Sequence, residues 1–350
     1  MGRTRQKPTG MRLLAATLLA SVLLSGCAKL GGPELINVSY DPTREFFEEY
    51  NALFTAYWKE ETGRHPEVIQ SHGGSGAQAL AVSQGLPADV VTLALEADVQ
   101  VLADEGLIDE GWIDEFPNHS APYTSTIVFL VRQGNPKAIR DWDDLVREDV
   151  GVITPNPKTS GGARWNFLAA WAYADALYDG DEAQITDFIT RLYQNVLVLD
   201  SGARGSTTSF VENGQGDVLL AWENEAYLAM EEYPGEYEIV TPSISILCQP
   251  SVAVVDEVTR VNGTRRLAAA YLEHLYSDEA QHLAAKYYYR PCNEAILQEY
   301  GDRFDLSVQL ATIEDFGGWA AAQEMYFSEG GAFDLIYENM EPSEDTRLWQ

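Results

Sequence analysis

The sequence predicts an α/β protein of two lobes, each a mostly parallel sheet flanked by helices, with the lobes joined by strands. Three observations lead there. Strand-like and helix-like stretches alternate, as they do where helices cover the faces of a parallel sheet. The alternation restarts near residue 125. No Gly/Ser/Pro-rich or low-complexity linker lies between the halves, so passage between lobes falls to extended segments at about residues 122–130 and 245–255.

The elements follow in order. Leu35 to Ser39 is a short apolar strand. Asp41 is expected to be the N-cap and Pro42 the first helical residue of a helix carrying Phe46, Tyr50, Phe54 and Tyr57. Gly63 ends that helix. Val68 to Gln70 is a second strand, then come Gly73-Gly74-Ser75-Gly76 and a helix with Leu80 and Val82. Ala88 to Leu93 is a third strand and 95–105 another helix. Ser125 to Arg132 is a long β-type run. Gly151 to Thr154 is a strand, followed by Pro155 to Gly162 and a helix to Tyr178. Asn195 to Leu199 is a strand, followed by Asp200 to Ser206 and a helix. Asp217 to Ala221 is a strand that runs into Trp222-Glu223-Asn224-Glu225. Val252 to Val255 is a return strand, and residues 263–286 are helical. The expected organisation is 34–122 with 252–290 in one lobe and 123–251 with 291–345 in the other.

The first 26 residues are read as a targeting segment rather than as part of the fold. Arg3, Arg5, Lys7 and Arg12 precede the apolar run Leu13 to Leu24, which is too short to span a membrane. Leu24-Ser25-Gly26-Cys27 has the form of a lipoprotein cleavage signal, with Cys27 as the acylated first residue of the mature chain; an ordinary signal peptide containing a cysteine is the alternative. Acylation would tether a soluble domain to a membrane surface, and residues 27–33 would be the tether. Loss of residues 1–26 removes four cations and no anion, which takes the formal charge from −31 to −35. Such a field excludes nucleic acid and anionic membrane faces as partners. Cys248 and Cys292 are a candidate disulfide in an exported chain, with two free buried thiols as the alternative. His65, His72, His119, His274 and His282 show no metal-ligand spacing, and no cofactor is expected.

The chemistry is concentrated in four strand-to-helix turns: Ser39-Tyr40-Asp41-Pro42, Gly73-Gly74-Ser75-Gly76, Ser160-Gly161-Gly162 and Gly202-Ala203-Arg204-Gly205-Ser206. The first amides of a helix lack internal partners and carry partial positive charge, and glycine lets an oxyanion approach them. One such turn carries little information. Four, divided between two lobes, point to a cleft of amides aimed at a small polyoxyanion. Enzyme readings fare worse. Gly73-Gly74-Ser75-Gly76-Ala77 lacks the outer glycine of a G-x-S-x-G elbow, and no turn matches a nucleotide P-loop. The runner-up is an exported hydrolase or transferase using Ser75 or Ser160, for which His72 is the only base close in sequence.

The strings Asn37 to Glu45, Gln70 to Gly76, Asn118 with Ser120 to Val131, Ile153 to Asn166, Leu199 to Thr207, Ala221 to Ala226 and Phe316 to Trp319 together resemble the periplasmic sulfate-binding proteins of ABC-type importers, the sulfate and thiosulfate receptor family. The resemblance covers Leu35 to about Phe333. It implies a type II periplasmic-binding-protein fold that closes on an unhydrated anion, with no enzymatic activity. It implies that sulfate, or thiosulfate, is held by the main-chain N–H groups of Asp41, Ser75, Gly161, Gly162 and Ala203, the Ser160 hydroxyl and the Trp222 indole N–H. It implies as partners the permease and ATPase subunits of an importer, and a monomer outside the cytoplasm. Arg164 and Arg204 flank the turns, as supports of the amides or of closure, with surface ion pairs as the equal alternative. Two cysteines and the strong acidity depart from the family pattern.

Overall fold

The computed structural model describes residue 2 and residues 33–338. Cys27 and its cleavage signal therefore lie outside the described residues, as does the end of the chain. Among the described residues no helix is long and apolar enough to cross a membrane.

The first sheet contains β1 (Glu34–Tyr40), β2 (Glu67–Gly73) and β3 (Val90–Leu93). A short β4 (Tyr123–Thr124) leads out of it to β5 (Ile127–Arg132). The second sheet is completed by β6 (Val152–Pro155), β7 (Val196–Asp200), β8 (Val218–Trp222) and β9 (Tyr237–Val240). The chain then passes through β10 (Ile244–Ile246), returns to the first sheet as β11 (Ser251–Val254), and continues through β12 (Arg290–Pro291) to β13 (Gln309–Ala311). Strand order is β11-β3-β1-β2 in the first sheet and β7-β6-β8-β5-β9 in the second.

β1 runs parallel to β2 and β3, and β6 parallel to β7 and β8. The strands that arrive from the other lobe run the opposite way: β11 is antiparallel to β3, and β5 to β8 and β9. Geometry accounts for this. A helix crossover returns the chain in the same direction along a sheet, whereas a strand coming straight across from the neighbouring lobe enters from the cleft end.

Both faces of each sheet are covered. Phe46, Phe47, Tyr50 and Phe54 of the helix Arg44–Thr62 pack with Tyr271 and Leu272 on one face of the first sheet. Ala79, Val82, Val99 and Leu102 cover the other face. In the second lobe, Trp165, Phe167 and Leu168 of the helix Gly161–Tyr178 form the largest core with Ile189, Leu192 and Phe333. Tyr40, Ala94 and Leu95 of the first lobe belong to that same cluster, so the lobes are closed against each other.

Three sequence expectations need correction. Asp41 is not a side-chain cap. It is the first residue of a 3-10 turn, Asp41–Thr43, whose N-cap is Tyr40, and its carboxylate pairs with Arg44 at 3.4 Å. The helical stretch over 263–286 is two helices, Arg265–His274 and Asp278–Lys286, because Ser277 starts a new helix by accepting the Ala280 N–H. Cys248 and Cys292 are both free. Cys248 exchanges both backbone bonds with Ser125, while β12, which ends one residue before Cys292, pairs with β4 on the other edge of the same strand. A strand thus lies between the two cysteines. Two strand spacings are about 9.5 Å, beyond the roughly 7 Å Cα separation that a disulfide can bridge.

The helix Glu294–Glu299 still packs on the first lobe's helix Asp278–Lys286, and the chain joins the second lobe only after it: β13 pairs with β10, and Trp319, Phe327 and Phe333 enter the second-lobe core.

Candidate functional site

Four turns at the carboxyl ends of β1, β2, β6 and β7 open 3-10 or α-helices that point into the cleft. Asp41, Ser75, Gly161 and Ala203 are the first residues of these elements, and Gly162 is the second residue of its helix. Their amides belong to the first turn, where no intrahelical acceptor exists. β8 ends at Trp222, the residue immediately before the helix Glu223–Glu232. All seven predicted ligands line one cavity of about 180 Å³ empty volume, together with Tyr40, Pro42, Gly73, Gly74 and Ala94. No Lys, Arg or His lines it.

Trp222 is 2% exposed, yet its indole N–H has no hydrogen-bond partner. A buried donor left unpaired costs about 1–3 kcal/mol. The indole is held from one side by the Tyr40 ring, with centroids 5.4 Å apart. From the other side it touches Gly162: a Cβ built there would lie 2.4 Å from Trp222 Nε1. Glycine at 162 is thus required by the indole as well as by any anion.

Ser160 caps its helix by accepting the Ala163 N–H at 3.4 Å, which leaves its O–H free to donate. Ser75 differs. Its hydroxyl donates to Asp98 Oδ2 at 2.6 Å and accepts the Ala94 N–H at 3.0 Å, so only its main-chain N–H faces the cavity unengaged. The Asp41 carboxylate has its usual pKa raised, by burial first, with Arg44 and Arg204 opposing that shift.

Arg164 and Arg204 do not line the cavity; each ties one lobe to the other. Arg164, on the second-lobe helix, bonds Asp98 Oδ1 of the first lobe at 2.8 Å and the Pro157 carbonyl at 3.0 Å. Arg204 bonds both oxygens of Glu45 at 2.8 and 2.9 Å and lies 3.4 Å from Glu225. Asn224 adds a bond from its side-chain N–H to the Pro42 carbonyl at 3.2 Å. Sequence reasoning missed Tyr40, Ala94, Asp98 and Glu45. Only Tyr40 had a local signal, its place within the first turn. The others are recruited by closure.

A hydrolytic role for Ser75 finds no base. Its partner is the Asp98 carboxylate, which is itself paired with Arg164. The His72 Nε2 is buried without a partner. Its pKa is pushed down to about 4, chiefly by burial, then by the positive charges of Arg44 and Arg204.

The comparisons agree with this geometry. The family model described as bacterial extracellular solute-binding protein matches residues 38–290. A sulfate-binding protein of Escherichia coli (strain K12) is 58% identical over 305 residues, 87% of this chain and 92% of that protein. A thiosulfate-binding protein of Pseudomonas aeruginosa is 46% identical over 328 residues, 93% of this chain and 98% of its own. Among solved structures, the sulfate-binding protein SubI from Mycobacterium tuberculosis H37Rv superposes with a TM-score of 0.76 at 35% identity, covering 85% of this chain and all of that one. These relatives are binding proteins rather than enzymes. A chain with two closed α/β lobes, a donor-lined cavity between them and these relatives belongs to the bacterial extracellular solute-binding proteins, in the group that contains the sulfate- and thiosulfate-binding proteins.

Proposed function

We propose that this chain captures sulfate, with thiosulfate as a second ligand, outside the cytoplasm and delivers it to the membrane permease and ATPase of an ABC importer. The observation that carries the reading is the composition of the cavity. Its lining offers an orphaned indole N–H, a hydroxyl free to donate and five first-turn amides, with no basic side chain. Sulfate at neutral pH is a dianion without a proton, so a cage of donors satisfies it. Hydrogen phosphate brings an O–H that needs an acceptor. The seven assigned ligand groups act as donors, so the phosphate O–H would be left unpaired among them, at a cost of about 1–3 kcal/mol or more. Each donor to the anion contributes about 1.5–3 kcal/mol, which together offset part of its dehydration.

The N-terminal pattern supports a lipid tether at Cys27, and one chain supplies the whole cavity, which supports a monomeric receptor. Radiolabelled fatty acid should enter the wild-type chain and not a Cys27→Ser variant. The central test is calorimetry of the anion-stripped protein with sulfate, thiosulfate, phosphate and molybdate, alongside ion chromatography of the anion that co-purifies. Sulfate should bind and phosphate should not. Tight phosphate binding without a sulfate response overturns the reading.

A further inference from the structure

One side chain next to the cavity, without touching it, closes a ring of hydrogen bonds through both lobes. Trp165 lies one turn into the second-lobe helix Gly161–Tyr178 and is fully buried. Its indole N–H crosses the cleft to the Ala94 carbonyl at 2.9 Å. Ala94 donates its own N–H to Ser75 Oγ, Ser75 donates to Asp98, and Asp98 accepts from Arg164, the residue before Trp165. The ring therefore leaves the second lobe at Trp165, passes through three first-lobe residues and returns at Arg164. It joins the turn of Ser75 to the helix that begins at Gly161, which are two of the turns facing the cavity. Every side chain in it is nine-tenths or more buried.

We propose that Trp165 is a positioning residue for anion retention: its indole N–H, by bonding the Ala94 carbonyl, holds the first-turn amides of Ser75 and of Gly161 and Gly162 at the spacing at which both reach the same anion. The proposal rests on the sulfate reading above. The physical reason is that donors split between two bodies act together only while the bodies are fixed. Trp165 and Ala94 can pair only when the lobes are closed, and separating them leaves a buried donor and a buried acceptor to rehydrate. The pair therefore opposes opening and leaves encounter untouched, so its energy belongs in the dissociation rate. Trp319 packs edge-on against the Trp165 ring, with centroids 4.7 Å apart, and fixes the direction of the N–H from behind.

The test compares two conservative variants by stopped-flow sulfate binding and by thermal unfolding of the anion-free protein. Trp165→Phe removes the cross-cleft donor. Trp142→Phe removes the bond of an equally buried indole, 2.8 Å to the partly buried Ile244 carbonyl, that stays within the second lobe. Trp165→Phe should raise the sulfate dissociation rate about tenfold, the value of one buried hydrogen bond, with the association rate within about twofold. Trp142→Phe should lower the unfolding temperature and leave both rates alone. Equal changes in dissociation for the two variants, or none for Trp165→Phe, overturn the proposal while the sulfate reading stands. A wild-type chain that binds no sulfate overturns both.

Discussion

Gly74 offers the sharpest test of closure. It is the N-cap of the helix Ser75–Ser83, with φ −60° and ψ 134°, a conformation open to any residue. Alanine there brings no backbone strain. The nearest atoms to an added Cβ all belong to the other lobe: the carbonyl oxygens of Thr159 at 2.7 Å and Ser201 at 2.8 Å. Carbon and oxygen settle at about 3.3 Å or more, so Gly74→Ala must part the lobes by about 0.5 Å at the mouth of the cavity. Donor–anion distances near 2.9 Å would stretch to about 3.4 Å, outside the range of a good hydrogen bond. Weakening even two charge-assisted bonds by about half their 1.5–3 kcal/mol each costs about 1.5–3 kcal/mol, so sulfate affinity should fall about 100-fold at the upper end. Calorimetry measures the affinity, and thermal unfolding of the anion-free protein controls for folding; the unfolding temperature should move by less than about 2 °C, since the clash exists only between lobes. Affinity within about threefold of wild type would refute the cleft geometry.

Three further outcomes follow from the same structure. Trp222→Phe removes the orphaned indole N–H, so sulfate affinity should drop about 10- to 150-fold with only a small change in anion-free stability; calorimetry and thermal unfolding separate the two. The depressed His72 pKa has a definite sign: between its usual value near 6.5 and about 4 the unfolded chain binds a proton that the folded chain refuses, so stability falls as pH falls through that window. The unfolding temperature of the anion-free protein should accordingly drop less from pH 7 to pH 5 in His72→Gln than in wild type, by about 2–4 °C, on thermal scans of both. Finally, a chain of formal charge −31 repels its anionic ligand at long range, so stopped-flow association rates should rise about two- to tenfold between 10 and 150 mM salt; a steep fall would refute that account.

Much of the fold was legible because its signals are local. Apolar runs such as Leu35 to Ser39 and Val90 to Leu93 bracket glycine-rich turns, and those turns sit at strand ends where α/β proteins bind ligands. The errors were also local. Asp41-Pro42 has the look of a capped helix start, but the chain takes a 3-10 turn first and gives the cap position to Tyr40, so the carboxylate pairs with Arg44 instead. The candidate disulfide failed because sequence separation says nothing about an intervening strand, and the strand carrying Ser125 stands between Cys248 and Cys292.

The sequence by itself determined the α/β alternation, the two lobes and the turns whose amides face the cavity, since helix starts, glycines and strand periods are written in neighbouring residues. The resemblance also singled out Trp222 and Ser160, and both line the cavity beside those turns. Only the tertiary structure decided what closes the cavity. Asp98 meets Arg164 across 66 positions of chain, Trp165 meets Ala94 across 71, and Glu45 meets Arg204 across 159. These partners lie in different lobes and come within hydrogen-bond distance only when the strands between the lobes bring the two sheets face to face, a relation that no local pattern of residues encodes.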